Sequence, residues 1–347
     1  MKTKNMYQPP FTITSLILRR IADISEAVGR ISAQTDDTLD LRLRRLNRIR
    51  TIQGSLAIEG NTLSEEQITA ILEGKHVIAP PREIQEARNA IVAYDHLETW
   101  IPENEKDLLK AHGILMAGLL DNAGRYRQSG VGVMGGDNAV VHMAPPPGRV
   151  PHLMGDLFHW LQNTDYHPLI TSSVFHYEFE FIHPFADGNG RMGRLWQTLI
   201  LSCWNPLFLR IPVESLVYAH QQDYYTALQH STQQGVVTPF LEFMLTMIRD
   251  AVLAATPQVT LQVTPQVEQL LRVLSGANQK GLSRKELQEA SGLRDRKSFA
   301  ERWLAPAFEA GLIEMTIPDK PNSRMQRYRI TDKGRTINQQ MQNAEYG

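Results

Sequence analysis

The sequence predicts a mainly helical protein. Apolar residues recur every three or four positions, as at Leu46, Ile49, Ile52 and Leu56, and this spacing is typical of an amphipathic helix. Strand patterns are confined to a few short segments beside glycine-rich turns. The 347 residues, 42% apolar and 21% charged, are enough for two or three globular domains.

Composition excludes few classes of function. The 36 basic and 37 acidic residues nearly cancel, so total charge favours neither a nucleic-acid nor an acidic partner. Cys203 is the single cysteine, which excludes an intrachain disulfide and fits a reducing compartment. The N-terminal residues lack the apolar core of a secretion signal, and polar residues interrupt the apolar run Leu195–Val213. We therefore expect a cytoplasmic protein with no membrane partner.

The most informative segment is His183–Arg194, which reads HPFADGNGRMGR. Helical patterns flank it at Ser172–Ile182 and Leu195–Leu201. Its glycines are therefore expected in a tight loop that opens the second helix. Free backbone N–H groups and the positive end of the helix dipole favour an anion there.

The side chains of this segment indicate which anion. Arg191 and Arg194 are spaced i, i+3 and face the same way, and arginine binds phosphate with two hydrogen bonds. Asp187 suits Mg²⁺, which takes one or two carboxylates plus phosphate oxygens. His183 can accept a proton from a hydroxyl near neutral pH. The segment predicts a site for nucleotide transfer.

This segment resembles the HPFx[DE]GNGRxxR signature of the Fic family and contains every fixed position of it. We call residues 183–194 the signature segment. Fic enzymes mostly transfer AMP from ATP to a protein Ser, Thr or Tyr hydroxyl and release pyrophosphate. The resemblance implies that His183 is the general base and Asp187 the Mg²⁺ ligand. It further implies that Gly188, Asn189 and Gly190 form an anion hole. Arg191 and Arg194 would hold the β- and γ-phosphates.

A second segment, Ser55–Asn61, resembles the Fic inhibitory motif [ST]xxxE[GN]. Gly60 is suited to follow a helix end, which places Glu59 in the last turn. There its carboxylate opposes the helix dipole, so a cationic partner is expected elsewhere. The resemblance implies that Glu59 pairs with Arg194 and denies it to the ATP γ-phosphate. An ordinary surface glutamate is the alternative, and in some relatives this residue positions water to remove AMP from modified targets.

We divide the chain into residues 1–104, a helical region with the inhibitory motif, residues 105–255, a Fic-type helical core, and residues 256–347. Strand signals at Gly130–Met134 and Ala139–His142, separated by a glycine-rich turn, predict a hairpin. The run from Gly124 onward, which contains this hairpin, resembles the Fic flap region, which pairs with a target segment as an added strand. Val141 and His142 would then lie near the target or the nucleotide, unless the hairpin is only a surface feature.

Tyr224 and Tyr225 resemble a Tyr-Tyr pair that lines the nucleoside pocket of Fic relatives. In both cases the pair follows the signature segment at a similar distance along the chain. Aromatic faces suit adenine stacking, but two tyrosines on a helix also serve plain packing. The remaining histidines have no metal-binding spacing. Both interpretations of the tyrosine pair stay open.

Beyond residue 256 we expect three helices, Gln266–Leu274, one capped near Ser283, and Asp295–Ala310. Two short strands follow, Leu312–Met315 and Arg327–Thr331. This order is the winged-helix pattern, a module found at the C-terminus of many Fic proteins. From Thr264 onward 14 basic residues stand against 10 acidic ones, which is compatible with DNA binding as well as with a protein or dimer contact.

Two hypotheses follow. The first is an autoinhibited protein adenylyltransferase that uses ATP and Mg²⁺, modifies a target protein or itself, and can run the reverse reaction. The second is a nucleotide-responsive DNA-binding regulator with only self-modifying activity. A sensor needs phosphate ligands but no base, so His183 beside Asp187, Arg191 and Arg194 favours the enzyme. A homodimer is compatible with either.

Overall fold

The computed structural model describes residues 7–34, 40–134, 140–255, 265–277, 281–292, 295–318, 320, 323, 325–335 and 338. The chain separates into two compact units, Met1–Thr256 and Pro257–Gly347. Each unit has its own apolar core. No helix among the described residues is long and apolar enough to cross a membrane.

The first unit is almost entirely helical, as the spacing of apolar residues predicts. Its helices are α1 (Ser15–Gln34), α2 (Asp40–Ile58), α3 (Glu65–Leu72), α4 (Pro81–His96), α5 (Glu105–Leu115), α6 (Val150–Asn163), α7 (Pro168–Ile182), α8 (Asn189–Trp204), α9 (Val213–Ala219), α10 (Gln221–Gln234) and α11 (Thr238–Ala255). The predicted division of this unit near residue 104 stays a prediction.

Helix α7 lies at the centre of the first unit. It packs against α6, α8 and α11, and nearly all of its side chains are buried. A helix that is apolar around most of its surface is stable only when other elements enclose it. The signature segment therefore leaves α7 and enters α8 inside a closely packed core, which limits how far its side chains can move.

Helix α2 carries the inhibitory motif and packs along α9. The two helices approach closely at Gly54, where a Cβ atom would come within 2.7 Å of the Glu214 carbonyl carbon and the Ser215 nitrogen. The helix ends at Ile58, and Gly60 takes the left-handed φ of 88° that the sequence predicts for it. Glu59 thus begins the turn that leaves the helix.

The predicted hairpin is present in the first unit. Strand β1 (Gly132–Met134) pairs antiparallel with β2 (Val140–Met143), with Gly132 opposite Met143 and an irregularity after Val133. Val141 and His142 lie in β2, but their side chains are outside the described part of the structure. Helix α10, which carries Tyr224 and Tyr225, contacts β2.

The second unit combines helices with a small sheet. Its helices are α12 (Pro265–Ser275), α13 (Arg284–Ala290), α14 (Arg296–Phe299) and α15 (Ala305–Glu309), with a π-helical turn, Ala300–Leu304, before α15. Strands β3 (Leu282–Ser283), β4 (Ile313–Met315) and β5 (Arg327–Ile330) form an antiparallel sheet in the order β3-β5-β4.

The sequence prediction missed β3 in the second unit. It assigned Leu282 and Ser283 to the start of a helix, whereas both pair with β5. Ser283 also caps α13 in a capping box with Glu286, as its side chain predicts. A two-residue strand that ends on a helix cap has too few residues to show an alternating pattern.

Candidate active site

The signature segment turns sharply between α7 and α8. His183 ends α7 with a left-handed φ of 49°, and Gly188 precedes α8 with a φ of 83°. His183 is the sole non-glycine residue with positive φ among the described residues. Its N–H still donates to the Phe179 carbonyl at 2.9 Å, so the imidazole is placed at the exit of a rigid helix.

Asn189 holds the loop between the two helices closed. Its Oδ1 accepts from the Phe185 N–H and its Nδ2 donates to the Phe185 carbonyl, both at 2.9 Å. The side chain is buried and serves the loop itself. Asn189 can therefore meet an anion only through its backbone N–H.

The backbone N–H groups of the predicted anion hole are not equivalent. The Gly188 N–H donates to Asp187 Oδ1 at 2.6 Å. The N–H groups of Asn189, Gly190 and Arg191 belong to the first turn of α8, where the helix supplies no carbonyl partner. These three groups and the helix dipole can bind an anion.

Glu59 pairs with Arg194 directly beside this helix start. Arg194 Nη2 donates to Glu59 Oε1 at 2.7 Å, and the same guanidinium donates to the Ser55 hydroxyl and carbonyl at 3.1 and 2.9 Å. Burial is the largest single effect and lowers the pKa of Arg194, but the charge and hydrogen bond of Glu59, together with Tyr224 and Glu180, outweigh burial, so the pKa is raised. The guanidinium is thus fully charged and held by Ser55 and Glu59.

Gly190 leaves the space that Glu59 occupies. A Cβ atom on Gly190 would collide with Glu59 Oε1 and approach Arg194 Nη1 to 3.0 Å. Glu59 therefore lies against Gly190 at the start of α8, in the turn whose backbone N–H groups an anion would use. An anion bound there and the Glu59 carboxylate would repel each other.

The His183 imidazole lies near a buried carboxyl. Its Nδ1 is 3.9 Å from Glu180 Oε2, and the ring keeps 19% of its surface exposed. The pKa of Glu180 is raised to about 8, mainly by burial; the charge of Arg194 lowers this pKa and that of Glu59 raises it. Gly193 faces this pocket, since a Cβ there would come within 2.8 Å of Glu180 Oε1 and His176 Cδ2.

Asp187 has the chemistry of a magnesium ligand. Its carboxylate is 42% exposed, and it already attracts two guanidinium groups, of Arg82 at 2.9 Å and of Arg191 at 3.2 Å. The described residues contain no group of three or more His, Cys, Asp or Glu that could hold a metal. A single carboxylate still fits Mg²⁺ that arrives with a nucleotide, because phosphate oxygens and water complete the octahedron.

Tyr224 and Tyr225 differ in their surroundings. Tyr224 is buried, and its hydroxyl lies 3.2 Å from His176 Nε2. Tyr225 is only partly buried, and its hydroxyl donates to the Ile58 carbonyl at 3.2 Å, as Gln221 does at 2.7 Å. Tyr225 therefore anchors the end of α2 next to Glu59, while Tyr224 packs behind the site.

Two residues of the site escaped the sequence analysis. Buried Arg127 donates to the His183 carbonyl at 2.7 Å and to the Ser129 carbonyl at 2.9 Å, and it also reaches the Pro145 carbonyl at 2.5 Å. It joins the base of the hairpin to the turn at His183. The only sequence signal for Arg127 was its position at the start of the predicted flap region. A basic residue in such a region is ordinarily interpreted as a surface residue.

His112 is the second of these residues. Its Nδ1 accepts from the Gly124 N–H at 2.8 Å, so Nε2 carries the hydrogen that it donates to the Asp187 carbonyl at 3.0 Å. The ring stacks on Phe185 with centroids 3.6 Å apart. Burial lowers the pKa of His112 to about 4, so it remains neutral and fixes the backbone at Asp187. No local pattern in the sequence marks it.

Comparisons with known proteins identify the family of this chain. The Fic/DOC family profile matches residues 100–201, and that of the Filamentation induced by cAMP protein Fic-like, C-terminal domain, matches residues 265–331. The chain is 54% identical to a Fic family protein from Desulfovibrio desulfuricans G20, covering 94% of this chain and 99% of that one with a TM-score of 0.70. The chain belongs to the Fic family.

Curated relatives add a named activity. The protein adenylyltransferase Fic of Culex quinquefasciatus is 30% identical over 76% of this chain and 55% of its own length. That of Nematostella vectensis is 27% identical over 74% of this chain and 65% of its own. The chain thus spans roughly half to two thirds of these relatives. Fic-1 of Caenorhabditis elegans, residues 134–508, shares the fold at 24% identity and a TM-score of 0.58.

Proposed function

We propose that this chain is a protein adenylyltransferase that transfers AMP from ATP to a Ser, Thr or Tyr hydroxyl of a target protein. One observation carries the proposal. A partly exposed imidazole, His183, stands beside a helix start whose arginines include Arg194, which is paired with Glu59. The names of the curated relatives support the same activity.

The chemistry assigns a task to each group. His183 accepts the proton of the target hydroxyl, whose oxygen attacks the α-phosphorus of ATP. The bond from that phosphorus to the bridging oxygen breaks, and pyrophosphate leaves with the electron pair. The N–H groups of residues 189–191 and the two arginines hold the phosphates, so catalysis consists mostly of positioning and charge stabilisation. Asp187 would hold Mg²⁺, which neutralises phosphate charge when bound.

Glu59 would keep the enzyme inactive. While it pairs with Arg194 and lies over Gly190, the triphosphate loses one guanidinium and meets a like charge. The same carboxylate could orient water for removal of AMP from a modified target. We propose inhibition as its first role, because its hydrogen bond is to a residue expected to bind phosphate.

The test is labelling with ATP that carries a radioactive α-phosphate, in the presence of Mg²⁺. We expect weak label on the wild type, stronger label on Glu59→Gly and none on His183→Ala. Glu98→Gly is a control, since Glu98 is an exposed glutamate that follows α4. Equal label on all four proteins would refute the proposed activity.

The proposal extends to partners. The three-stranded sheet with its helices supports a winged-helix assignment for residues 256–347. Val141 and His142 would face the target segment along β2.

DNA binding by the second unit and formation of a homodimer are secondary proposals. A gel-shift series across salt concentrations tests the first, because phosphate contacts weaken steeply with salt, and sedimentation tests the second. The single cysteine supports a cytoplasmic location.

A further inference from the structure

Four charged side chains beside the signature segment form a closed ring of alternating sign. Arg82 Nη2 lies 2.9 Å from Asp187 Oδ2, and Arg191 Nη2 lies 3.2 Å from Asp187 Oδ1. Arg191 Nη1 and Arg82 Nε each lie 3.3 Å from Glu86 Oε1. We call these residues the charge ring. Arg82 and Glu86 are spaced i, i+4, so one face of α4 supplies both.

The charge ring has an inner and an outer edge. Arg191 and Glu86 keep only 5% and 12% of their side-chain surface exposed, whereas Asp187 and Arg82 keep 42% and 60%. A buried ion pair is costly to break because each charge would lose its counter-charge. An exposed pair exchanges partners readily. The Arg82–Asp187 edge is therefore the one that can open.

Glu86 is fixed by a third contact. Its Oε2 accepts from Asn61 Nδ2 at 3.0 Å, and Asn61 also donates to the Glu83 carbonyl at 3.3 Å. These bonds keep the Glu86 carboxylate on the inner side of α4. Arg191 is thus held between two carboxylates, Glu86 and Asp187, and its orientation depends on both.

We propose that Arg82 and Glu86 are positioning residues for the metal and phosphate side of the site. Glu86 holds the Arg191 guanidinium in place, and Arg82 is an exchangeable counter-ion that Asp187 releases when a divalent cation arrives with the nucleotide. This inference rests on the proposed function, but it is separate from inhibition by Glu59. That residue acts on Arg194, whereas the charge ring acts on Asp187 and Arg191.

The two positions predict effects of opposite sign. Arg82→Ala removes the cation that competes for Asp187, so less Mg²⁺ should be needed for half-maximal ATP binding. Glu86→Gln leaves both guanidiniums to share Asp187, so more Mg²⁺ should be needed. An exposed pair supports a shift of about two- to fivefold for Arg82→Ala. The more buried Glu86 should give a larger shift.

The experiment measures ATP binding by calorimetry at a series of Mg²⁺ concentrations. The full chain carries Glu59→Gly to free Arg194 and His183→Ala to prevent turnover. Arg88→Ala is the matched control, because Arg88 is exposed on the same helix and its loss changes net charge equally. Arg82→Lys keeps the charge and should stay close to the background protein. A loss of helix packing would move all variants in one direction, whereas the charge ring predicts opposite shifts.

The outcomes separate the two proposals. If ATP binds but Arg82→Ala leaves the Mg²⁺ midpoint unchanged, or moves it no more than Arg88→Ala does, the inference is wrong and the proposed function stands. Because Arg82 is exposed, this variant should fold even if Glu86→Gln does not. If no protein of the series binds ATP at any Mg²⁺ concentration, the proposed function and the inference both fail.

Discussion

Glu180→Gln should change how the stability of the first unit depends on pH. Burial raises the pKa of this carboxyl from 4.5 to about 8, so the folded protein holds a proton that the unfolded chain releases. The stabilisation from the neutral form is complete below the unfolded pKa and is lost as pH rises through 8. Glutamine is neutral at every pH, so the stability of the Glu180→Gln variant should not show this decrease.

The magnitude follows from the pKa difference. Each pKa unit corresponds to about 1.4 kcal/mol, so the full loss approaches roughly 5 kcal/mol at high pH. Between pH 6 and pH 8 the wild type should lose roughly 2 kcal/mol more stability than Glu180→Gln. Glu180 is 8% exposed, so solvent screens little of this effect.

Urea unfolding followed by tryptophan fluorescence is the assay. Four of the five tryptophans, Trp100, Trp160, Trp196 and Trp204, lie in the first unit, so the signal reports mainly on it. Glu98→Gln, at an exposed position, is the control and should follow the wild type. Parallel stability curves for the wild type and Glu180→Gln from pH 6 to pH 8 would refute the assignment of a neutral Glu180.

Two further substitutions test the packing that positions the site. Gly54→Ala would place a Cβ 2.7 Å from the Glu214 backbone, which should destabilise the fold by about 1–3 kcal/mol. The displacement of α2 should also increase AMP labelling. Unchanged labelling in a folded variant would contradict this. His112→Ala removes two hydrogen bonds and the stacked ring at Asp187, a loss of about 2–4 kcal/mol. Its thermal midpoint should fall and its Mg²⁺ requirement should rise, and an unshifted Mg²⁺ requirement would show that His112 does not act through Asp187.

The sequence predicted the helices and the hairpin because their signals are local. Apolar spacing in α7 and α8 and the glycine-rich turn after β1 each depend on residues that are close in the chain. The encounter of Glu59 with Arg194 was predicted only through the family motif. Nothing within Ser55–Asn61 itself points to a residue 135 positions away.

The charge ring, Arg127 and His112 could not be predicted for the same physical reason. Arg82 and Glu86 read as an ordinary i, i+4 pair on an exposed helix face, and their partners lie about a hundred residues further on. Arg127 looks like a surface cation until the carbonyls around it are known. Tyr224 was expected beside the nucleoside, and whether its buried ring takes part stays a prediction.

The left-handed backbone at His183 opposes the stability of the fold to the proposed catalytic role of this residue. Holding a non-glycine residue at a φ of 49° stores strain of about 1–2 kcal/mol, which glycine would relieve. A glycine at position 183 would relieve this strain but would also remove the imidazole. The stability of the fold and the proposed chemistry therefore place opposite demands on this one position.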